Sequence, residues 1–200
     1  MTSPNSRTSA FPIHPMFLER WSPRAFADDT IDEHELLTLF EAARWAPSAF
    51  NAQPWHFIYG RRGTPAFDRL LGVLIEFNRG WAHRAAALVI VVSEIAPGPD
   101  KSVPSHSHSF DAGAAWAYLA LQAHRSGWHA HGMTGVDFAK AAADLGVPDT
   151  HRVEAAAAIG RIGHRSVLPE KLQAREQPND RKPLTEIVSE GRFVAKPGHG

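Results

Sequence analysis

The chain reads as a single α+β domain with helices on both faces of a central sheet. Three observations point there. Helical and strand patterns alternate, but irregularly. No internal repeat or composition break divides the 200 residues. One uninterrupted apolar run, Leu88-Val89-Ile90-Val91-Val92, has the character of a central strand buried on both faces.

Taken in order, residues 1–16 are rich in Ser, Pro and Thr and are expected to be a flexible segment. Thr30-Ile31-Asp32-Glu33 reads as a capping box that opens a helix. Leu36, Leu37, Phe40 and Ala43 follow at helical spacing, and Pro47 stops the run. Residues 55–59 are aromatic and β-branched, a strand closed by Gly60, and a helix is expected over 65–77. The Pro-, Ser- and His-rich stretch 96–107 exceeds most connections in length and is a candidate lid.

From 109 to 125 small and apolar residues dominate, with Asp111 near the start. A helix apolar all round is a buried one, and Gly127 ends it. Residues 128–133 read as a strand. Asp137 caps a short helix that Gly146-Val147-Pro148 ends. Residues 153–162 give a further strand, although their alanine run suits a helix equally. The chain is polar over 163–183, has a short element at 184–188, and ends in an expected disordered tail over 191–200.

Composition narrows the chemistry. Without cysteine there is no disulfide, thiolate nucleophile, zinc–thiolate site or iron–sulfur cluster, so any redox step falls to a bound organic cofactor. The 21 Lys and Arg balance the 21 Asp and Glu, which argues against nucleic acid or an anionic membrane as partner. Pro4, Pro12 and Pro15 interrupt the amino terminus, so a cytoplasmic protein is expected. Neither a Gly-x-Ser-x-Gly elbow nor a phosphate-loop lysine occurs.

Two stretches carry the candidate site. Arg20-Trp21-Ser22-Pro23-Arg24 places two guanidiniums and a hydroxyl within five residues, a donor set suited to phosphate. Arg181-Lys182 adds basic charge from the far end of the chain. The second stretch ends in Asn51-Ala52-Gln53-Pro54-Trp55. Its carboxamides offer the paired donor and acceptor that a heteroaromatic ring edge requires. A solvated turn remains the competing reading of both. Gly132-Met133-Thr134-Gly135 lacks the dinucleotide fingerprint, yet glycines there let backbone amides approach a planar ligand. His106-Ser107-His108 and His124, His129 and His131 imitate metal-ligand spacing without a matching carboxylate or thiolate, so no metal site is expected. Phe50, Trp55 and Trp81 are either stacking surface or core.

These residues resemble the nitroreductase-like flavoproteins. The resemblance rests on 20–26, on Ala42-Ala43-Arg44-Trp45-Ala46-Pro47-Ser48 and on Asn51 to Trp55. Asn78, Asp111-Ala112-Gly113-Ala114-Ala115, residues 132–135 and Arg181-Lys182-Pro183-Leu184 follow in order, for a span of about 17–190. It implies a three-layer α-β-α fold with a mixed, mostly antiparallel sheet, and FMN held without a covalent bond at a homodimer interface. NADH or NADPH would supply electrons to a small conjugated acceptor (nitroaromatic, quinone or enone) in a ping-pong cycle. By the same resemblance Arg20, Trp21, Ser22 and Arg24 contact phosphate, ribityl or ring edge, and Arg181 completes the phosphate site. Asn51 and Gln53 lie by the isoalloxazine, from the same or the partner subunit. Asn78 bonds the pyrimidine edge or ribityl chain, and amides near Thr134 and Gly135 face N5 and O4. Relatives often carry a basic residue just after Asn78, where this chain has Arg79, Gly80 and Trp81. A flavin-fragmenting enzyme of this fold, or a non-catalytic flavin-binding or storage protein, are the alternative readings.

Overall fold

The computed structural model describes residues 5–194; the expected flexible ends therefore fall partly outside the described residues, at 1–4 and 195–200. The sheet has four strands: β1 (Trp55–Arg61), β2 (Ala87–Glu94), β3 (His129–Met133) and β4 (His151–Gly160), in the spatial order β1-β2-β4-β3. Every pairing is antiparallel. Strand β2 lies inside the sheet, and its side chains alternate between two cores. Leu88, Ile90 and Val92 pack with Phe26, Phe67, Leu70, Leu74 and Trp81 on one face. Val89 joins Leu36, Leu39, Leu119 and Trp128 on the other. Burial on both sides is why the strand reads as a continuous apolar run.

The alanine run of β4 resolves as strand. Ala155 to Ala158 pair with β2 and the neighbouring strand β3 supplies His131 and Gly132 opposite Ala158 and Ala157. Their small side chains let both helical layers approach the middle of the sheet.

One layer holds α2 (Glu33–Arg44) and α5 (His108–Arg125); the other holds α3 (Pro65–Gly72), α4 (Glu76–Ala82) and α6 (Phe138–Leu145). Short helices α1 (Met16–Glu19), α7 (Glu170–Gln173) and α8 (Leu184–Ile187) lie in the flanking segments. The capping box of α2 starts two residues later than expected: Asp32 accepts from the Glu35 amide at 2.6 Å and the Glu35 carboxylate reaches back to the Asp32 amide. Leu39, rather than Leu37, completes its buried face with Leu36 and Ala43. The expected helix over 65–77 is two helices, because Leu74 leaves the first to bridge Val136.

Helix α5 also departs from expectation. It buries Ala112, Ala115, Leu119 and Ala123 against the sheet, while Phe110 and Tyr118 on the opposite side are exposed. The sheet and α2 cover one side of the helix, and among the described residues nothing covers Phe110 or Tyr118 on the other. Among the described residues no helix is long and apolar enough to cross a membrane.

Candidate functional site, an arginine-lined cleft

Residues 20–24 follow α1 outside any helix or strand, and their backbone is held from four directions. Arg7 Nη1 donates to the Arg20 carbonyl at 2.8 Å. His131 Nδ1 lies 3.0 Å from the Pro23 carbonyl. The Glu176 carboxylate accepts from the Arg24 and Ala25 amides, each at 2.7 Å. The Gly163 amide donates to the Ala25 carbonyl at 2.7 Å. Three of these partners come from distant parts of the chain, so the loop is placed by the tertiary fold.

That frame opens into a cleft of about 580 Å³, lined by Trp21, Ser22, Arg24, His131, Arg7, Arg175 and Arg181 among others. Arg7 ties its two walls together. Besides the Arg20 carbonyl, it donates from Nε to the Asn179 carbonyl at 2.7 Å, and Arg181 donates to the same carbonyl at 3.3 Å. The arginines feel one another. Burial, then Arg181, then Arg7 hold the Arg20 guanidinium below its usual pKa. Burial and then Arg181 do the same to Arg7. For Arg24, burial dominates, Glu176 opposes it and Arg175 adds to it. Guanidiniums crowded until they repel make a site for a multiply charged anion.

Ser22 also borders a second cavity of about 630 Å³, with Phe17, Arg20, Trp116, Gly132, Met133 and Thr134. The amides of Thr134 and Gly135, just past β3, donate to nothing among the described residues. Gly135 is needed here, since a Cβ would sit 2.3 Å from Asn78 Nδ2 and 2.9 Å from Ile75 Cδ1. Asn78 is buried and donates to the Gly135 carbonyl at 3.1 Å. The two cavities, sharing Ser22, set a cationic end beside an apolar one.

Arg20, Trp21, Ser22, Arg24, Thr134 and Arg181 therefore gather around adjoining cavities, with Gly135 and Asn78 bonded at the margin. Asn51 and Gln53 do not join them. They occupy an exposed turn in which Phe50, Asn51 and Gln53 have φ of 53°, 55° and 49°. Phe50 is fully exposed, so the neighbouring aromatics do not bury these carboxamides within one chain. Left-handed backbone at three non-glycine residues is strained. Trp81 is core: it is 1% exposed, packed between Phe26 and His131 with Arg24 over its ring. The candidate lid lines neither cavity; Lys101 pairs with Glu94 at 2.6 Å on the strand it leaves.

Sequence reasoning missed Arg7, Arg175, Glu176 and the role of His131. Arg7 lies in a stretch read as flexible, and Glu176 in a polar stretch without periodicity. No group of three His, Cys, Asp or Glu among the described residues is placed to hold a metal.

Comparisons with known proteins bear on the family and the fold. The model described as the nitroreductase family matches residues 18–79. A crystal structure of an oxidoreductase containing FMN is 44% identical, with a TM-score of 0.93 over 98% of this chain and 100% of that one. An uncharacterised 15.4 kDa protein of Mycolicibacterium smegmatis is 35% identical over 146 residues, 68% of this chain and 96% of that protein. A nitroreductase family protein from Streptococcus pneumoniae TIGR4 shares the fold at 19% identity, with a TM-score of 0.72 over 88% of this chain and 98% of that one. The chain belongs to the nitroreductase family.

Proposed function

We propose that the chain is an FMN-dependent oxidoreductase that moves hydride from NADH or NADPH to a small conjugated acceptor (a nitroaromatic, quinone or enone) in a ping-pong sequence. The observation that carries this reading is the convergence of Arg20 and Arg181, from opposite ends of the chain, on adjoining cavities that share Ser22. A relative at 44% identity contains FMN by its own description.

The residues fit that group. Crowded guanidiniums with few carboxylate partners suit a phosphate dianion, and the apolar cavity beside them suits a flat ring. Arg20, Ser22, Arg24 and Arg181 hold the phosphate end, with Trp21 against it. The amides of Thr134 and Gly135 face the ring, and Asn78 positions them through the Gly135 carbonyl. Bound there, FMN supplies the capacity to accept and release hydride. The protein's part is orientation, exclusion of water by Phe17, Trp116 and Met133, and amide donors where the ring becomes electron-rich.

A homodimer belongs to this reading. The uncovered side of α5, with Phe110 and Tyr118, gives the partner an apolar surface. The protruding turn then brings Asn51 and Gln53 to the partner's flavin. We place the protein in the cytoplasm.

The absorption spectrum of purified protein is the direct test. A flavin spectrum that NAD(P)H bleaches under nitrogen, and that an added quinone restores, supports the proposal. Protein that neither carries nor takes up FMN overturns it. Bound flavin that NAD(P)H does not reduce favours a storage protein.

A further inference from the structure

His131 stands on β3, 9% exposed, and lines the arginine cleft. Its Nδ1 lies 3.0 Å from the Pro23 carbonyl oxygen. A carbonyl only accepts, so Nδ1 carries the proton, and the neutral ring's other nitrogen keeps its lone pair. A tilted contact with Trp81, ring centres 4.7 Å apart and planes at 43°, holds the imidazole in place. Nε2 has no partner among the described residues and is not sealed from the cleft. Burial above all, with help from the Arg24 and Arg20 charges, keeps the ring neutral by lowering its pKa to about 4, against the hydrogen bond to the Pro23 backbone that favours the charged form.

The surroundings make this lone pair informative. The guanidiniums of Arg7, Arg24, Arg175 and Arg181 only donate. The Asn179 side-chain oxygen already accepts from Arg7 and Arg181. An acceptor fixed among donors discriminates, because a ligand unable to donate leaves a desolvated nitrogen unpaired.

We propose that His131 is a specificity-determining residue of this cleft. It accepts, through Nε2, a hydrogen bond from a hydroxyl or ring N–H of a phosphorylated ligand whose phosphate lies among the arginines. The inference rests on the flavin reading for the identity of that ligand, since FMN carries both kinds of donor.

The test is calorimetric titration of FMN, and separately of inorganic phosphate, into wild-type, His131→Phe and His131→Gln proteins. The Phe variant should lose about tenfold in FMN affinity, the worth of one hydrogen bond, while its phosphate affinity changes by less than about twofold. Gln, which retains an acceptor, should restore most of the difference. Nitrogen-15 NMR of the free protein at pH 6 should find the His131 proton on Nδ1. Equal FMN affinity in wild type and His131→Phe, equal loss of FMN and phosphate, or a proton on Nε2 overturns the role of His131. Wild-type protein that binds phosphate but not FMN overturns the functional reading instead, and the ligand assigned to His131 with it.

Discussion

Arg7 donates from Nη1 to the carbonyl oxygen of Arg20 at 2.8 Å, and the same guanidinium donates from Nε to the Asn179 carbonyl at 2.7 Å. One side chain thus joins the loop after α1 to the segment that carries Arg181. The phosphate-binding cations of the proposed site are set by this tie.

Removing it has a stated cost. Arg7→Ala should lower unfolding free energy by about 1–2 kcal/mol, since several charge-assisted hydrogen bonds are lost from a partly exposed position. FMN retention should fall as well, because Arg20 and Arg181 no longer share a frame. Urea unfolding and equilibrium dialysis read the two effects; a loss of stability with unchanged FMN affinity refutes the tie.

Glu176 braces the same loop by accepting two amides through one carboxylate oxygen. Glu176→Ala strands the Arg24 and Ala25 N–H groups, at about 2–3 kcal/mol. Glu176→Gln keeps a carbonyl acceptor and should recover at least half of the loss. If the two variants unfold at the same urea concentration, the bracing role is wrong.

Gly135 is sterically required. Its missing Cβ would fall 2.3 Å from Asn78 Nδ2, so Gly135→Ala must displace Asn78 or the backbone, at about 1–3 kcal/mol. The amides proposed to face the ring move with it. The variant's flavin absorption band should therefore shift or weaken relative to wild type, and an unaltered band speaks against their placement.

Acid should destabilise the apoprotein in a defined window. His129 and His131 both have pKa values lowered from 6.5 to about 4, chiefly by burial. Between those limits the unfolded chain binds protons that the folded chain refuses, so stability is full above pH 6.5 and is lost as pH falls toward 4. Each ring accounts for up to roughly 3 kcal/mol. Urea unfolding at pH 7.5 and 5 should show the drop, and His129→Gln should reduce it. A flat profile contradicts neutral burial.

How much of this was legible in sequence follows from the range of each signal. The apolar run of β2 identifies an interior strand because burial on both faces leaves no polar alternation to disguise it. Asp137 and Gly146 bound α6 as expected, since a cap and a left-handed glycine act within one turn. The start of α2 was ambiguous: Thr30 and Asp32 each precede a glutamate by three residues, and only the fold selects Asp32. Arg20, Ser22 and Arg24 stood out as a cluster. Arg7 did not, because its Asn179 partner is 172 positions away. His131 likewise answers to a carbonyl 108 positions distant: its spacing to other histidines imitates a metal-ligand pattern, and its actual contact is a backbone oxygen. The exposure of Phe110 and Tyr118 was not legible, because apolar composition along a helix does not say which of its sides the sheet covers.

In the proposed site, guanidiniums from both ends of the chain hold one phosphate beside a flat ring. Titrating the apoprotein with FMN and with riboflavin, which has the same ring and no phosphate, isolates it. FMN should bind at least about a hundredfold more tightly, and Arg20→Ala should erase most of that margin. Equal affinity for the two flavins would show that the arginines do not hold the phosphate.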